Sequence, residues 1–275
     1  MCLVALALDR SARYPLVIAA NRDEFYERPA AALDWWAPPG APAILGGRDL
    51  RGGGAWLALN CAGRLALLTN VREPERRAAD APSRGAIVPQ WLHGDLDADE
   101  LRAQTTRRGY NGFNLIAADF ARGEVFHLSN RAASAGRLAA GVYGLSNAGL
   151  DTPWPKVTAL KTRLGASLDD EAPPESLRDA LFEALADRRP AADADLPATG
   201  VPLDWERLLS AAFIEAPAAG YGTRCSTVVV TERRAQGLST RIWERSFERG
   251  RAAGERQVEL DRWPPALAPI TARAP

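Results

Sequence analysis

The chain is poor in cysteine, histidine and lysine, and each shortage excludes something. Three cysteines, Cys2, Cys61 and Cys225, are scattered over 275 residues. They are too few and too dispersed for a disulfide framework or a zinc knuckle, and no CxxC, CxxCH or HExxH occurs. A reducing, cytoplasmic compartment is the expectation. His93 and His127 are the only histidines. His93 stands beside Gly94, and His127 alternates with Val125 and Phe126, so both read as hydrogen-bonded or solvent-facing groups and no metal is expected. Excess charge is also missing: 34 basic side chains balance 34 acidic ones. That argues against nucleic acid or an anionic membrane surface as partner. No segment approaches the ~18 continuous apolar residues of a spanning helix, so stable membrane insertion is not expected. The opening MCLVALALDR has no basic residue ahead of its apolar stretch, which Asp9 and Arg10 end, so it does not read as a secretory leader. Lysine occurs only at Lys156 and Lys161. With so much alanine, the preference for arginine reads as a coding bias. What is there, 47% apolar and 25% charged residues, fits a globular core.

The first 70 residues read as strands. Cys2 to Leu8 and Leu16 to Ala20 form a hairpin through the polar turn from Ser11 to Pro15. Trp56 to Asn60 and Arg64 to Asn70 form another. Gly46 to Gly54, with five glycines in nine residues, reads as a loop that bends sharply or approaches a ligand. Ser83 is a candidate cap for a helix carrying Ile87, Val88, Trp91 and Leu92, with Pro89 enforcing a kink or a late start. Asp97 to Arg108 has the charge order a helix dipole prefers. Phe113 to Ala118 and Val125 to Leu128 read as strands. Helices are expected from Pro155 to Leu164, from Pro174 to Arg189, where Leu177, Leu181 and Leu185 recur every four residues, and from Trp205 to Phe213. Residues 190–202 read as an exposed loop. Thr227 to Thr231 and Thr240 to Phe247 read as late strands, and the tail from Pro264 as irregular. The segregated order predicts an α+β protein with antiparallel sheets covered by helices, in one domain over residues 1–275.

Cys2 is the most informative position. Removal of Met1 would place its thiol beside a free α-amine of reference pKa about 7.7–8.0, putting nucleophile and base in one residue. The alternative is a small hydrophobe in a core strand. Asn21-Arg22-Asp23-Glu24 follows an apolar run, where polar groups need partners or a cleft. Arg22 can stabilise a thiolate and Asp23 can hold an ammonium; a strand-end turn with a surface ion pair is the other reading. Asn70 and Asn147 each close a strand-like run and are suited to an oxyanion hole or to an Asx turn. Arg224, just ahead of a buried strand, calls for an anion, be it a thiolate, a substrate carboxylate or a structural Asp. Trp35-Trp36 with Pro38-Pro39 reads as an apolar loop lining a cleft or a satellite core.

The segments MCLVALALD, IAANRDEFYERP, ILGGRDL, GGAWLALN, LALLTNVREP, YNGFNLIAAD, YGLSNAGLDTPWPKV and YGTRCSTVVV run in order from residue 1 to about residue 231. Together they resemble the NRDE family, that of transport and Golgi organisation proteins. That family is similar to the N-terminal nucleophile hydrolases, within them to the choloylglycine hydrolase and penicillin V acylase group. The resemblance implies a four-layer αββα sandwich of two antiparallel sheets between helices. It implies Cys2 as nucleophile, Asn70 and Asn147 in the oxyanion hole, and Arg224 nearby. Those hydrolases space an arginine and an aspartate at the end of the second strand; here Arg22 is followed at once by Asp23 and Glu24. Two functions are expected. One is hydrolysis or acyl transfer on a small amide, ester or thioester, with no cofactor required for the chemistry. The other is non-catalytic binding and trafficking of haem or an acyl lipid in the same cleft. The partner is accordingly a small-molecule substrate or haem.

Overall fold

A computed structural model describes residues 2–132, 136–169 and 172–270. The chain divides into two compact units. The first comprises Met1–Glu27, Arg72–Glu75 and Ala140–Arg262; the second comprises Arg28–Val71, Arg76–Ala139 and Trp263–Pro275. Each carries one antiparallel sheet and its own helices, so the expected α+β plan with two antiparallel sheets is present.

Numbered in chain order, the first unit holds β1 (Cys2–Leu8), β2 (Leu16–Phe25), β10 (Gly141–Leu145), β11 (Glu215–Ala216), β12 (Tyr221–Arg234), β13 (Gly237–Glu248) and β14 (Arg251–Asp261). The sheet order is β10-β1-β2-β12-β13-β14, with β11 also paired to β12. The helices are α3 (Pro155–Asp169), α4 (Pro174–Leu185) and α5 (Leu203–Leu209). One face of the sheet packs Leu3, Ala5, Val17, Ala19, Val228 and Trp243 against Leu160, Leu164, Leu177 and Leu181 of α3 and α4. The alternate residues Val4, Leu6, Ile18 and Val229 are equally buried, which is why β1 and β2 read as continuous rather than alternating apolar runs.

The second unit holds β3 (Ala30–Trp36), β4 (Ile44–Asp49), β5 (Ala55–Asn60), β6 (Arg64–Asn70), β7 (Phe113–Asp119), β8 (Glu124–Ser129) and β9 (Gly136–Arg137), a meander in sequence order. Helices α1 (Ile87–His93) and α2 (Ala98–Arg107) belong to it. Ile87, Val88, Trp91 and Leu92 of α1 join Ala66, Leu115 and Phe126 in its core. Asp97 and Glu100 form a reciprocal capping box on α2. Pro89 falls in the first turn of α1, where its missing N–H removes no bond.

The structure corrects several expectations. β2 does not stop at Ala20 but runs through Asn21-Arg22-Asp23-Glu24 to Phe25. It is held between β1 and β12 over that length, so both edges of the polar segment are paired. Gly46 and Gly47 lie inside β4, not in a loop. They are needed there by the chain itself: a Cβ on Gly47 would fall 2.1 Å from the Trp56 ring. Trp35 and Trp36 lie in β3; the Trp36 indole N–H donates to Gly46 O, and the Arg48 guanidinium lies 4.7 Å from its ring centre. Ser83 makes no side-chain cap. β14 was not expected; its residues are mostly exposed and carry no apolar period. Among the described residues, no helix is long and apolar enough to cross a membrane.

Candidate active site

Strand register sets the first arrangement. Cys2 opens β1 directly opposite Arg22, and Arg22 lies opposite Cys225 of β12. Facing residues of an antiparallel pair share a side of the sheet, so Cys2, Arg22 and Cys225 form one row. Asn21 and Asp23 take the other side, under the helices. The Asn21 amide donates to Leu185 O and Ala212 O, both at 2.8 Å, and its oxygen accepts from the Ser226 hydroxyl at 2.5 Å. Asn21 thus ties the sheet to the ends of two connections and leaves nothing for catalysis.

Asp23 is 1% exposed. The Thr223 hydroxyl donates to Asp23 Oδ1 at 2.7 Å and itself accepts the Ile214 N–H. The pairing of β2 with β12 shifts between Thr223 and Cys225, so Arg224 is the extra residue of a bulge. Its guanidinium turns to the main chain of β2 and its exit, donating to Phe25 O at 3.0 Å and to Tyr26 O at 3.1 Å. These carbonyl oxygens hold Arg224, and Cys225, Glu24 and Glu248 act on it electrostatically.

β10 pairs with β1, with Leu145 opposite Val4, which carries Ser146 and Asn147 alongside the start of β1. The Ser146 hydroxyl donates to Cys2 O at 2.9 Å. Asn147 is buried, and its carbonyl accepts the Arg72 N–H at 2.8 Å. The following turn is clamped, because Asp151 accepts the Gly144 N–H and pairs with Lys161. Asn70, in the second unit, closes β6 opposite Phe113.

Three further charged groups complete a buried cluster in the first unit, and the sequence reading assigned none of them. Arg72 and Glu206 form a pair at 2.6 Å with both side chains 4% exposed. Glu206 also accepts the Thr199 N–H and hydroxyl, and the Arg72 guanidinium lies 4.9 Å from the Trp154 ring centre. Lys156, from the first turn of α3, is 5% exposed, and its Nζ donates to Leu209 O at 2.8 Å. Asp23, Arg72, Cys2 and Glu206 all act on it electrostatically. One signal could have found it: it is one of two lysines in a chain that otherwise uses arginine for basic charge.

Electrostatics separate the two cysteines of the row. Burial pushes the Cys2 thiol up and the Asp23 carboxylate adds to this, while Arg22 and the Asp23 main-chain N–H favour the thiolate. Burial and the neighbouring Glu244 push Cys225 well up, with Arg22 opposing. Cys225 is an inert core thiol; Cys2 is a protonated thiol set among charges of both signs. Burial also raises the Asp23 carboxyl, against the pull of Lys156 and of the Thr223 hydroxyl. Burial brings Lys156 down to about 8, against the pull of Asp23. Among the described residues, no three His, Cys, Asp or Glu side chains group as a metal ion would require. The histidines are hydrogen-bonded, His127 to Asn114 and His93 to Pro42 O.

Residues 1–249 match the family model described as Transport and Golgi organisation 2. The chain belongs to the Transport and Golgi organisation 2 family. It is 36% identical over 269 residues to the Transport and Golgi organization protein 2 homolog of Bos taurus, covering 89% of this chain and 96% of the bovine one. To the Homo sapiens homolog it is 35% identical over 255 residues, covering 84% and 89%. Among solved structures, it is similar to a Caenorhabditis elegans ortholog of N-acylethanolamine-hydrolyzing acid amidase, with a TM-score of 0.45 and 12% identity over 83% of this chain and 92% of that one. It is also similar to a variant of conjugated bile acid hydrolase from Clostridium perfringens, with a TM-score of 0.43 and 8% identity over 94% and 97%.

Proposed function

We propose that this Transport and Golgi organisation 2 family member is a cysteine N-terminal nucleophile enzyme that hydrolyses, or transfers the acyl group of, a small amide, ester or thioester. The observation that supports this is the setting of Cys2: first residue of a buried strand, facing the Arg22 guanidinium, beside the Asp23 main-chain N–H and carboxylate, and flanked by Asn147. A cysteine serving only as packing has the surroundings of Cys225 instead.

Removal of Met1 exposes the Cys2 α-amine. The thiol proton passes to that amine, giving a thiolate beside Arg22 and an ammonium within reach of Asp23. The thiolate attacks the acyl carbon, and the tetrahedral oxyanion takes hydrogen bonds from donors such as the Asn147 amide. The ammonium returns its proton to the departing amine, alcohol or thiol as the C–N, C–O or C–S bond breaks. Water, or an acceptor amine or alcohol, then attacks the acyl-thioester and regenerates the thiol. Arg22 favours the thiolate and both intermediates, and its loss lowers acylation by about 10²-fold, the scale of one oxyanion donor.

Intact-mass analysis followed by reaction with p-nitrophenyl acetate tests the reading. The expected result is a chain starting at Cys2 that gains one acetyl group on Cys2, and no such adduct with Cys2→Ala. Retention of Met1, or acetylation confined to the exposed Cys61, overturns it. Saturable one-to-one haem binding, unchanged by Cys2→Ala in a protein that resists acylation, would establish the carrier function in its place.

A further inference from the structure

The mechanism above requires the Cys2 α-amine to be neutral near pH 7, yet it lies next to a carboxylate. The register that sets Cys2 opposite Arg22 sets Asp23 one step beyond the Cys2 nitrogen. An unopposed buried carboxylate there would stabilise the ammonium and prevent the amine from accepting the thiol proton. Asp23 is not unopposed. Lys156 of α3, buried on the helix side of the sheet with its Nζ donating to Leu209 O at 2.8 Å, acts on the Asp23 carboxylate electrostatically and favours its charged form.

We propose that Lys156 is a positioning residue that keeps its own positive charge beside Asp23 and thereby holds the α-amine of processed Cys2 in the neutral, proton-accepting form. The inference rests on the nucleophile reading and adds to it the group that sets the base. Two amines then share one carboxylate, and the pair gives up one proton more readily than either amine alone with Asp23. The surrounding charges decide which amine loses it. Glu206 of α5 and Asp23 of β2 both favour charge on Lys156, whereas Arg72 and burial oppose it. The Cys2 thiol, on the other side of the sheet, also acts on Lys156 electrostatically, and Tyr221 of β12 acts on Asp23 and stays protonated, pushed well up by burial. Lys156 thus has a second anion and a fixed carbonyl acceptor. Its place near 8 leaves it mostly charged at pH 7.

The test reads the pH dependence of Cys2 alkylation by iodoacetamide, located by peptide mass, on protein verified to begin at Cys2. Lys156→Met is expected to move the rise in Cys2 reactivity up by at least one pH unit, a loss of about tenfold in rate at pH 7. Lys156→Arg is expected to restore the wild-type profile, which a loss of packing alone would not do. An unshifted profile in Lys156→Met, with Cys2 still reacting, overturns the inference and leaves the nucleophile reading standing. Cys2 in the native protein reacting no faster than in the unfolded chain overturns the nucleophile reading itself. Should Lys156→Met fail to fold, the wild-type protein decides. With two lysines in the chain, ε-13C-lysine labelling gives two signals, and the Lys161→Arg variant assigns them. Lys156 remaining charged throughout the rise in Cys2 reactivity supports the inference; Lys156 losing its proton before that rise refutes it.

Discussion

In the second unit Arg64 and Asp119 form a buried ion pair at 3.0 Å; in the first, Arg72 and Glu206 form one at 2.6 Å. Both guanidiniums lie against an indole, Trp91 at 4.4 Å and Trp154 at 4.9 Å from the ring centre. The difference lies in what surrounds them. Arg64 gives its other donors to Trp91 O and Gly94 O, the unpaired carbonyls at the end of α1. Its partners are these fixed dipoles and one carboxylate, Asp119, which Arg122 also approaches at 3.7 Å, so it acts as a brace that closes a helix against a sheet. Around Arg72 the extra neighbours are ionisable, namely Lys156, Asp23 and, through them, Cys2. Burial of a charge does not by itself mark a site. Burial of more titratable groups than the fold needs to pair does.

The sharpest way to break this comparison is to remove each arginine. Arg64→Leu and Arg72→Leu each take the nearest cation from a buried carboxylate, leaving Asp119 to Arg122 and Glu206 to Thr199 and Lys156, and should lose up to about 3–5 kcal/mol in urea denaturation. Only Arg72→Leu should change the rate at which Cys2 is alkylated. An equal effect from Arg64→Leu would erase the distinction between brace and site. Adding Glu206→Leu to Arg72→Leu should recover much of the lost stability.

Next in size is a pH effect confined to the first unit. The unfolded Lys156 amine keeps its proton up to about 10.5, whereas the folded one releases it at about 8. Between those values the unfolded state binds more protons, so stability gains from Lys156 as pH rises from 8 to 10.5. Below 8 the full penalty of about 3 kcal/mol is present. Urea midpoints at pH 7.5 and pH 10 should show that gain in the wild type and its loss in Lys156→Met. Asn21→Leu should cost about 1–3 kcal/mol, because Leu185 O and Ala212 O lose their shared donor. That change should leave the pH profile of Cys2 alkylation in place. The smallest effect expected is from Cys225→Ala, within about 1 kcal/mol and without change in acylation, since Cys225 serves as packing.

What was legible in the sequence was whatever local pattern determined. β1, the β5–β6 hairpin, the α2 caps and the leucine period of α4 follow from residues close together in the chain. The polar end of β2 did not, because Asn21, Arg22 and Asp23 look too costly to bury until their partners arrive from Leu185, Ala212, Thr223 and Lys156, all more than 130 positions later. β14 escaped notice because a strand exposed on both faces has no period to detect. Gly46 and Gly47 signalled close approach, and the approaching groups belong to β5: the Leu57 carbonyl and Ala58 at Gly46, the Trp56 ring at Gly47. Family resemblance singled out Cys2, Asn70, Asn147 and Arg224, and the residues themselves pointed to Arg22 and Asp23; all but Asn70 lie in the first unit, around the start of β1. It was silent on Arg72, Lys156 and Glu206, whose meaning depends on one another.

The extra residue at Arg224 has a consequence for how this segment can change. Thr223 and Cys225, two apart, would share a side in an unbroken ladder; here they serve Asp23 and Arg22 on opposite sides. Excising Arg224 would make Thr223 and Cys225 consecutive in an unbroken ladder, each keeping its present side, and would remove only the guanidinium held at Phe25 O and Tyr26 O. Inserting a second residue there would turn the Thr223 hydroxyl away from Asp23, so insertions should be tolerated far better in residues 190–202 than at this point.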